Sequence, residues 1–388
     1  MRNERMGKIK LALNVTSLLS PATGIASYTR HLSEIFIRTE GMEVYFFYGK
    51  MWSRKLRVTP SLAVALLKNP VKALLPHPYE LTRFIMQQVF RAGTACYKPD
   101  IYHEPNYLAY RFAGPTVITV HDLSHIHYAR THPADRVRIM NKLLPEAVHR
   151  ASEIIVDSHY VGREVIEHFD VSPHKVHAIH LGVSGDYRPR PSGEIAQQLA
   201  QYGLVPQSYI LAVGTLEPRK NLIQAIDAYA GLPEEIRRTI PLVIAGMKGW
   251  LSEQLEARIR HHENRGEVRW LGYVPAGDLP LLYSGACMLV YPSLYEGFGL
   301  PVLEAMASGI PVITTDRASL PEVAGDVGFM VDPQDVEGLR AQMRRLIEDR
   351  DEAARRGVLG VERARQFTWQ ACAEKTLAIY KKAMGEKA

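Results

Sequence analysis

Short apolar runs alternate with helix-like segments along the whole chain, and this alternation limits the possible folds more than any other feature. The first set of runs covers 9–15, 44–48, 116–120, 153–157 and 175–179, each followed by a polar loop or a helical pattern. A second set restarts at 209–213 and continues through 241–245, 268–271, 287–291 and 311–314. Runs that are near-continuously apolar, rather than apolar at every second residue, predict parallel strands covered on both faces. Between the sets, Gly185, Pro189, Pro191, Gly193 and Pro206 read as a linker. The expected architecture is α/β, with two doubly wound Rossmann-like domains facing a cleft. Its boundaries are 1–184, a linker 185–207, 208–366, and a last helix 367–388 that returns to the first domain with Trp369 as a packing anchor. In such sheets ligands sit beyond the carboxyl ends of the strands, so the residues just after each run are the candidates for chemistry.

The chain has 388 residues, 46% of them hydrophobic and 23% charged, enough to bury two cores and too apolar for disorder. Cys96, Cys287 and Cys372 are odd in number and widely spaced, which supports neither a disulfide framework nor a structural zinc site. The start of the sequence lacks the apolar core of a signal peptide, and no apolar run is long enough to span a bilayer. A cytoplasmic location is expected. Charge is uneven: residues 1–180 hold 23 Lys and Arg against 15 Asp and Glu, whereas the rest hold 24 against 26. Within 44–98 there are nine basic residues and one acid, Glu80, interleaved with apolar runs. That pattern suits peripheral contact with an anionic membrane surface, or a solvated basic face over an ordinary helical core. No RNP, KH or zinc-finger pattern accompanies the charge, so no nucleic-acid partner is expected.

The densest constellation runs from Tyr291 to Val312. A strand ends at Tyr291, a glycine-bearing loop carries Glu296, and a helix begins near Leu300 with Glu304 in its first turns. The backbone N–H groups of Gly297, Phe298, Gly299 and Leu300 then form an anion cradle at a helix start. Glu296 can accept from sugar hydroxyls and Glu304 from a ribose diol; the plainer alternative is that Glu296 caps the helix and Glu304 is solvated. After the first strand of the second set, Gly214 precedes Arg219 and Lys220, a basic pair able to neutralise a diphosphate or to form a surface salt bridge. In the first half, His121 and Asp122 follow one strand and Gly24 opens a helix after another. Glu104 ends a third apolar run and could line an acceptor side. His125, His127 and His132 lack metal-ligand spacing, and the Asp349-Arg350-Asp351 string falls in a charged helical region, so no metal is expected.

Glu296 and Glu304, followed by Ala-Met-Ala-Ser-Gly-Ile-Pro-Val, resemble the retaining family 4 glycosyltransferases of GT-B fold. The Val213–Leu222 stretch resembles their basic diphosphate clamp, Val120-His121-Asp122 their histidine loop, and Thr23–Arg30 their first glycine loop. The resemblance spans nearly the whole chain. Thr215 departs from members that carry a further basic residue there. The resemblance implies a nucleotide-sugar donor, bound by Gly24, Gly214, Arg219, Lys220, Glu296, the 297–300 cradle and Glu304, with Tyr273 and Val274 at the base edge. It implies catalysis by His121, Glu296, Arg219 and Lys220, without cofactor or metal. The local sequences around Gly24 and His121 are similar to bacterial O-antigen and exopolysaccharide mannosyltransferases. That similarity favours GDP-mannose as donor and an oligosaccharide or polyprenyl-linked acceptor. UDP-sugar transfer remains open, as does, further off, a sugar-nucleotide 2-epimerase.

Overall fold

The computed structural model describes residues 8–19, 24–57 and 78–385. The 58–77 part of the basic stretch expected to meet a membrane therefore lies outside the described residues. Seven strands build the first sheet: β1 (Ile9–Asn14), β2 (Met42–Phe47), β3 (Trp52–Ser53), β4 (Ile101–Glu104), β5 (Thr116–Val120), β6 (Glu153–Val156) and β7 (Val176–Ala178). Their order is β3-β2-β1-β4-β5-β6-β7, parallel except for β3, which pairs antiparallel with β2. The second sheet holds β8 (Ile210–Val213), β9 (Leu242–Ala245), β10 (Val268–Gly272), β11 (Met288–Tyr291), β12 (Val312–Thr315) and β13 (Phe329–Val331), in the order β10-β9-β8-β11-β12-β13 and parallel throughout. β4, β5, β8, β9 and β11 are buried along their full length, which is why their sequences carry no alternation.

The strand order reverses at β1/β4 in one sheet and at β8/β11 in the other, the positions where doubly wound sheets open a crevice. Asn14 and Glu104 end the first pair, and Val213 and Tyr291 end the second. The 185–207 segment is more than a linker. It contains the helix Ser192–Ala200, whose Ile195 and Leu199 bury against the helix Leu279–Gly285. The apolar spacing at i and i+4 carries that helix although prolines and glycines surround it.

The chain crosses between domains twice, side by side. At Gly182 an added Cβ would lie 2.1 Å from Trp369 N, so only glycine lets the two crossings touch. Beyond it Thr368 caps the helix Trp369–Ala383 by accepting from Ala371 N–H at 3.1 Å. This helix lies on the first domain: Trp369 stacks on His31 with centroids 4.6 Å apart, and Tyr380 OH meets His103 Nδ1 at 2.7 Å. Asp349, first of the Asp-Arg-Asp string, is a helix cap that accepts from Glu352 N–H at 2.9 Å. One hydrophobic cluster runs unbroken from Leu13 and Ile155 through Ile179 and Leu181 to Leu289 and Val302, so the two cores are joined across the crossings.

Candidate active site

The loop after β11 owes its shape to hydroxyl side chains spaced along it and around it. Thr314 and Thr315 donate to the carbonyls of Tyr291 and Ser293 at 2.9 and 2.7 Å. Ser319 donates to those of Glu296 and Phe298 at 2.8 and 2.9 Å. Gly299 stands at the start of the helix Leu300–Ala307 with φ 111°, a conformation open to glycine at little cost. Among the described residues, the N–H groups of Gly297, Phe298, Gly299 and Leu300 donate to no backbone hydrogen bond. Four N–H groups beside a helix start are thus left without a backbone acceptor. Across the cleft the helix Gly24–Arg38 begins close by, the Cβ position of Gly24 being 3.4 Å from Leu300 Cδ1. Two helix N-termini therefore converge on one place, where their partial positive charges reinforce each other.

Glu296 is buried and is not the helix cap. Its carboxylate accepts from Lys220 Nζ at 2.8 Å, Tyr291 OH at 2.8 Å and Ser293 Oγ at 2.5 Å, and lies 3.1 Å from Arg219. Burial alone would raise its pKa; Arg219, Lys220 and the hydroxyl donors outweigh it and hold the group down at about 2. Arg219 is buried as well, bonded to Glu217 Oε1 at 2.8 Å and to the Tyr295 carbonyl. The basic pair is thus neither a surface salt bridge nor a bare cationic clamp, because Glu217 and Glu296 already balance its charge. What it offers an incoming anion is directional. Lys220 Nζ uses two of its three N–H groups on Glu296 and Tyr291, and Arg219 Nε is buried without a partner. At Gly214, with φ 148°, an added Cβ would lie 3.5 Å from the Lys220 stem.

The ring of His121 is engaged within its own domain. Nδ1 lies 2.7 Å from Asp157 Oδ2 and Nε2 lies 2.8 Å from the Pro105 carbonyl, so both nitrogens meet acceptors within the first domain. Burial disfavours the charged ring, but Asp157 and that carbonyl prevail and raise its pKa. Both ring nitrogens are engaged. What His121 turns toward the second domain is its backbone carbonyl, against which Gly297 is pressed: a Cβ there would fall 1.8 Å from the oxygen. Asp122, beside it, accepts from Ser124 N–H and Oγ at 3.0 and 2.8 Å. Burial would raise its pKa, but Arg219 across the cleft and the two Ser124 donors together outweigh burial and lower it.

Glu304 lies on the helix Leu300–Ala307 beside the hydroxyls of Tyr283 and Tyr187, the latter from the inter-domain segment. Burial lifts its pKa to about 7, with the tyrosines offsetting part of the rise. An unfolded chain ionises it near 4.5, so the folded state holds an extra proton between these values and loses stability as pH rises through them. Glu304→Gln, which keeps an oxygen facing the tyrosines, should gain on the wild type by about 2 kcal/mol between pH 5 and pH 8. Melting temperatures at the two pH values check this, and an offset that does not change with pH refutes it. Tyr273 is half exposed and Val274 buried, following Gly272 at the end of β10, which two strands separate from β11 and its loop. Glu104 is enclosed by its own network, accepting from Asn14 Nδ2 and Tyr102 OH at 2.6 Å each, and burial pushes it up to about 7. No group of three or more His, Cys, Asp or Glu is placed to hold a metal among the described residues.

Sequence reasoning missed Asp157, Glu217, Tyr187 and Tyr295. Asp157 ends a predicted strand and Tyr295 adjoins Glu296, so their positions were visible; their partners come from distant segments and were not.

The family description "Glycosyl transferases group 1" matches residues 196–359, and "Glycosyltransferase Family 4" matches residues 22–186. O-antigen chain mannosyltransferase B of Escherichia coli is 35% identical over 380 residues, covering 96% of this chain and all of the relative. The chain belongs to the family 4 glycosyltransferases. Its fold is GT-B: sucrose-phosphate synthase from Thermosynechococcus elongatus superposes with a TM-score of 0.77 at 22% identity, over 97% of this chain and 100% of that one. An MMP alpha-(1->4)-mannosyltransferase of Mycolicibacterium hassiacum is 26% identical over 94% of this chain and 96% of its own length. In this glycosyltransferase the cleft is closed. Besides the Gly24 and Gly297 contacts, Trp250 Nε1 of the second domain donates to the Thr131 carbonyl of the first.

Proposed function

We propose that this glycosyltransferase moves mannose from GDP-mannose to an oligosaccharide or polyprenyl-linked acceptor, with retention of configuration and without a metal. The observation that carries the chemistry is the meeting of two helix N-termini with Lys220 beside a carboxylate locked by its own donors. A diphosphate entering there takes the free N–H groups of 297–300 and the third N–H of Lys220, so the protein supplies the charge stabilisation from preorganised groups. Glu296, with its four donors and low pKa, is a poor nucleophile and a poor acid, and Glu304 is engaged with two tyrosines. The pair does not act as a retaining glycosidase pair does. The reading that follows is departure and attack on one face of the sugar. The anomeric C–O bond to the diphosphate breaks, the acceptor oxygen bonds to the same face, and its proton passes to the leaving diphosphate. The His121 carbonyl, held by the engaged ring, faces the place where positive charge builds on the sugar.

Similarity to the O-antigen mannosyltransferase over its full length supports mannose, and the same relative supports a role in surface polysaccharide synthesis. A peripheral place at the membrane is supported by Leu81, Phe84 and Ile85, exposed at i, i+3 and i+4 on the helix Pro78–Tyr97, with Arg91 near them. No described helix is long and apolar enough to cross a membrane.

Thermal-shift measurements without added metal test the donor, because a ligand that binds the native state raises its melting temperature. GDP and GDP-mannose should stabilise the protein and UDP-sugars should not. Stabilisation by UDP ligands alone would discard mannose. Addition of anionic vesicles at low salt should co-sediment the protein, and its staying in the supernatant would remove the membrane claim.

A further inference from the structure

Tyr295 belongs to the second domain, yet its side chain is buried in the first. It is 2% exposed, with its ring among those of His127, Tyr128 and Tyr160 at centroid distances of 5.8, 5.5 and 6.2 Å. Its hydroxyl donates to Glu164 Oε2 at 2.5 Å and accepts from Leu123 N–H at 3.0 Å. Glu164 is steadied in turn by His127 Nε2 at 3.0 Å, and Tyr128 OH donates to the Leu294 carbonyl at 3.2 Å. Leu123 is two residues past His121 and Tyr295 is one before Glu296, so this hydroxyl pins the two facing loops to each other. At its main chain the Tyr295 carbonyl accepts from Arg219, which also contacts Glu296.

Glu164 lies on the helix His159–Phe169, and the second domain grips that helix again at its start. Glu322, on the helix Leu320–Ala324, accepts from His159 and Tyr160 N–H at 2.9 and 2.7 Å and from His180 Nε2 at 3.2 Å. One helix of the first domain is therefore held at two points by the second.

We propose that Tyr295 is a positioning residue: clasped by Glu164 and the Leu123 N–H, it holds the cleft closed and seats Glu296 and Gly297 against the His121 loop. Tyr295 reaches the reacting atoms only through Glu296 and Gly297, whose backbone it anchors. The kinetic part rests on the transferase reading above; the conformational part does not.

The full chain is compared with Tyr295→Phe, Glu164→Ala, Glu164→Gln and the double variant Tyr295→Phe/Glu164→Ala. Small-angle scattering without ligand, GDP affinity by calorimetry, and kcat and KM for GDP-mannose are the readouts. Tyr295→Phe and Glu164→Ala should each enlarge the radius of gyration and lower kcat about 10- to 100-fold, with GDP affinity changed less than about threefold. The double variant should be no worse than the poorer single one, because both remove the same bond. Glu164→Gln keeps an accepting oxygen and should restore wild-type scattering and kcat. Unchanged scattering with kcat within about twofold in both single variants, or additive losses in the double, would overturn the proposal. Should Tyr295→Phe fail to fold, Glu164→Ala, placed in the other domain, decides alone. A wild type that does not transfer mannose would count against the donor, while scattering would still decide the latch.

Discussion

Replacing Gly297 by alanine should lower kcat by about a hundredfold or more while nucleotide affinity falls by less than about tenfold. The reason is steric and local. The new methyl would sit 1.8 Å from the His121 carbonyl oxygen and 2.8 Å from its carbon, and both are backbone atoms that no side-chain rotation can move aside. The two loops must then stand apart, and the groups that act together across the cleft lose their spacing. Stability should change little, since the clash lies between domains and is relieved by opening rather than by unfolding. Steady-state kinetics alongside calorimetry with GDP makes the comparison. A variant with wild-type kcat would show that the closed contact is not the reactive arrangement.

The second large effect is expected at Glu296. Glu296→Ala leaves Arg219 and Lys220 buried with one anion fewer, which should destabilise the protein by about 3–5 kcal/mol. Turnover should fall by about 10²–10³ because the lysine loses the group that aims it. Glu296→Gln keeps the shape and part of the hydrogen bonding, so its loss of stability should be smaller than that of alanine, with turnover still impaired. The pH dependence has a definite sign. With the folded value near 2 and the ordinary one at 4.5, the ionised group contributes fully above 4.5 and its contribution fades as pH falls toward 2. The stability gap between wild type and Glu296→Gln should therefore be constant from pH 7 to about 5 and narrow below 4.5. Denaturant unfolding at several pH values measures it, and a gap that widens in acid would contradict the assignment.

Much of this molecule follows from local sequence. Runs such as 209–213 and 242–245 are apolar at every position because both faces of their strands are covered, and that property is written in consecutive residues. The order of chemistry along the chain is equally local: Gly24 opens a helix, His121 follows β5, Arg219 and Lys220 follow β8, and Glu296 lies between β11 and the helix that holds Glu304. Family membership was legible for the same reason, since motifs are strings of neighbours.

Tertiary structure decided what each of those groups faces. His121 could have pointed its ring at a donor; Asp157 and the Pro105 carbonyl, 36 and 16 residues away, take both nitrogens and leave the backbone carbonyl to the cleft. Arg219 and Lys220 read as a free clamp, yet Glu296, about 76 residues on, meets them as counter-ion. The pKa of Glu304 depends on its burial, with Tyr283 and Tyr187, which no helical spacing connects to it, offsetting part of the rise. Tyr295, a residue within a glycine-loop motif, becomes the tie between domains only because Glu164 and Leu123 come to it from the other sheet. Strand and helix formation depend on neighbours a few residues apart, so the sequence alone determined the fold. Charge, protonation and closure depend on contacts between residues 16 to 172 positions apart in sequence, and only the packed structure brings those together.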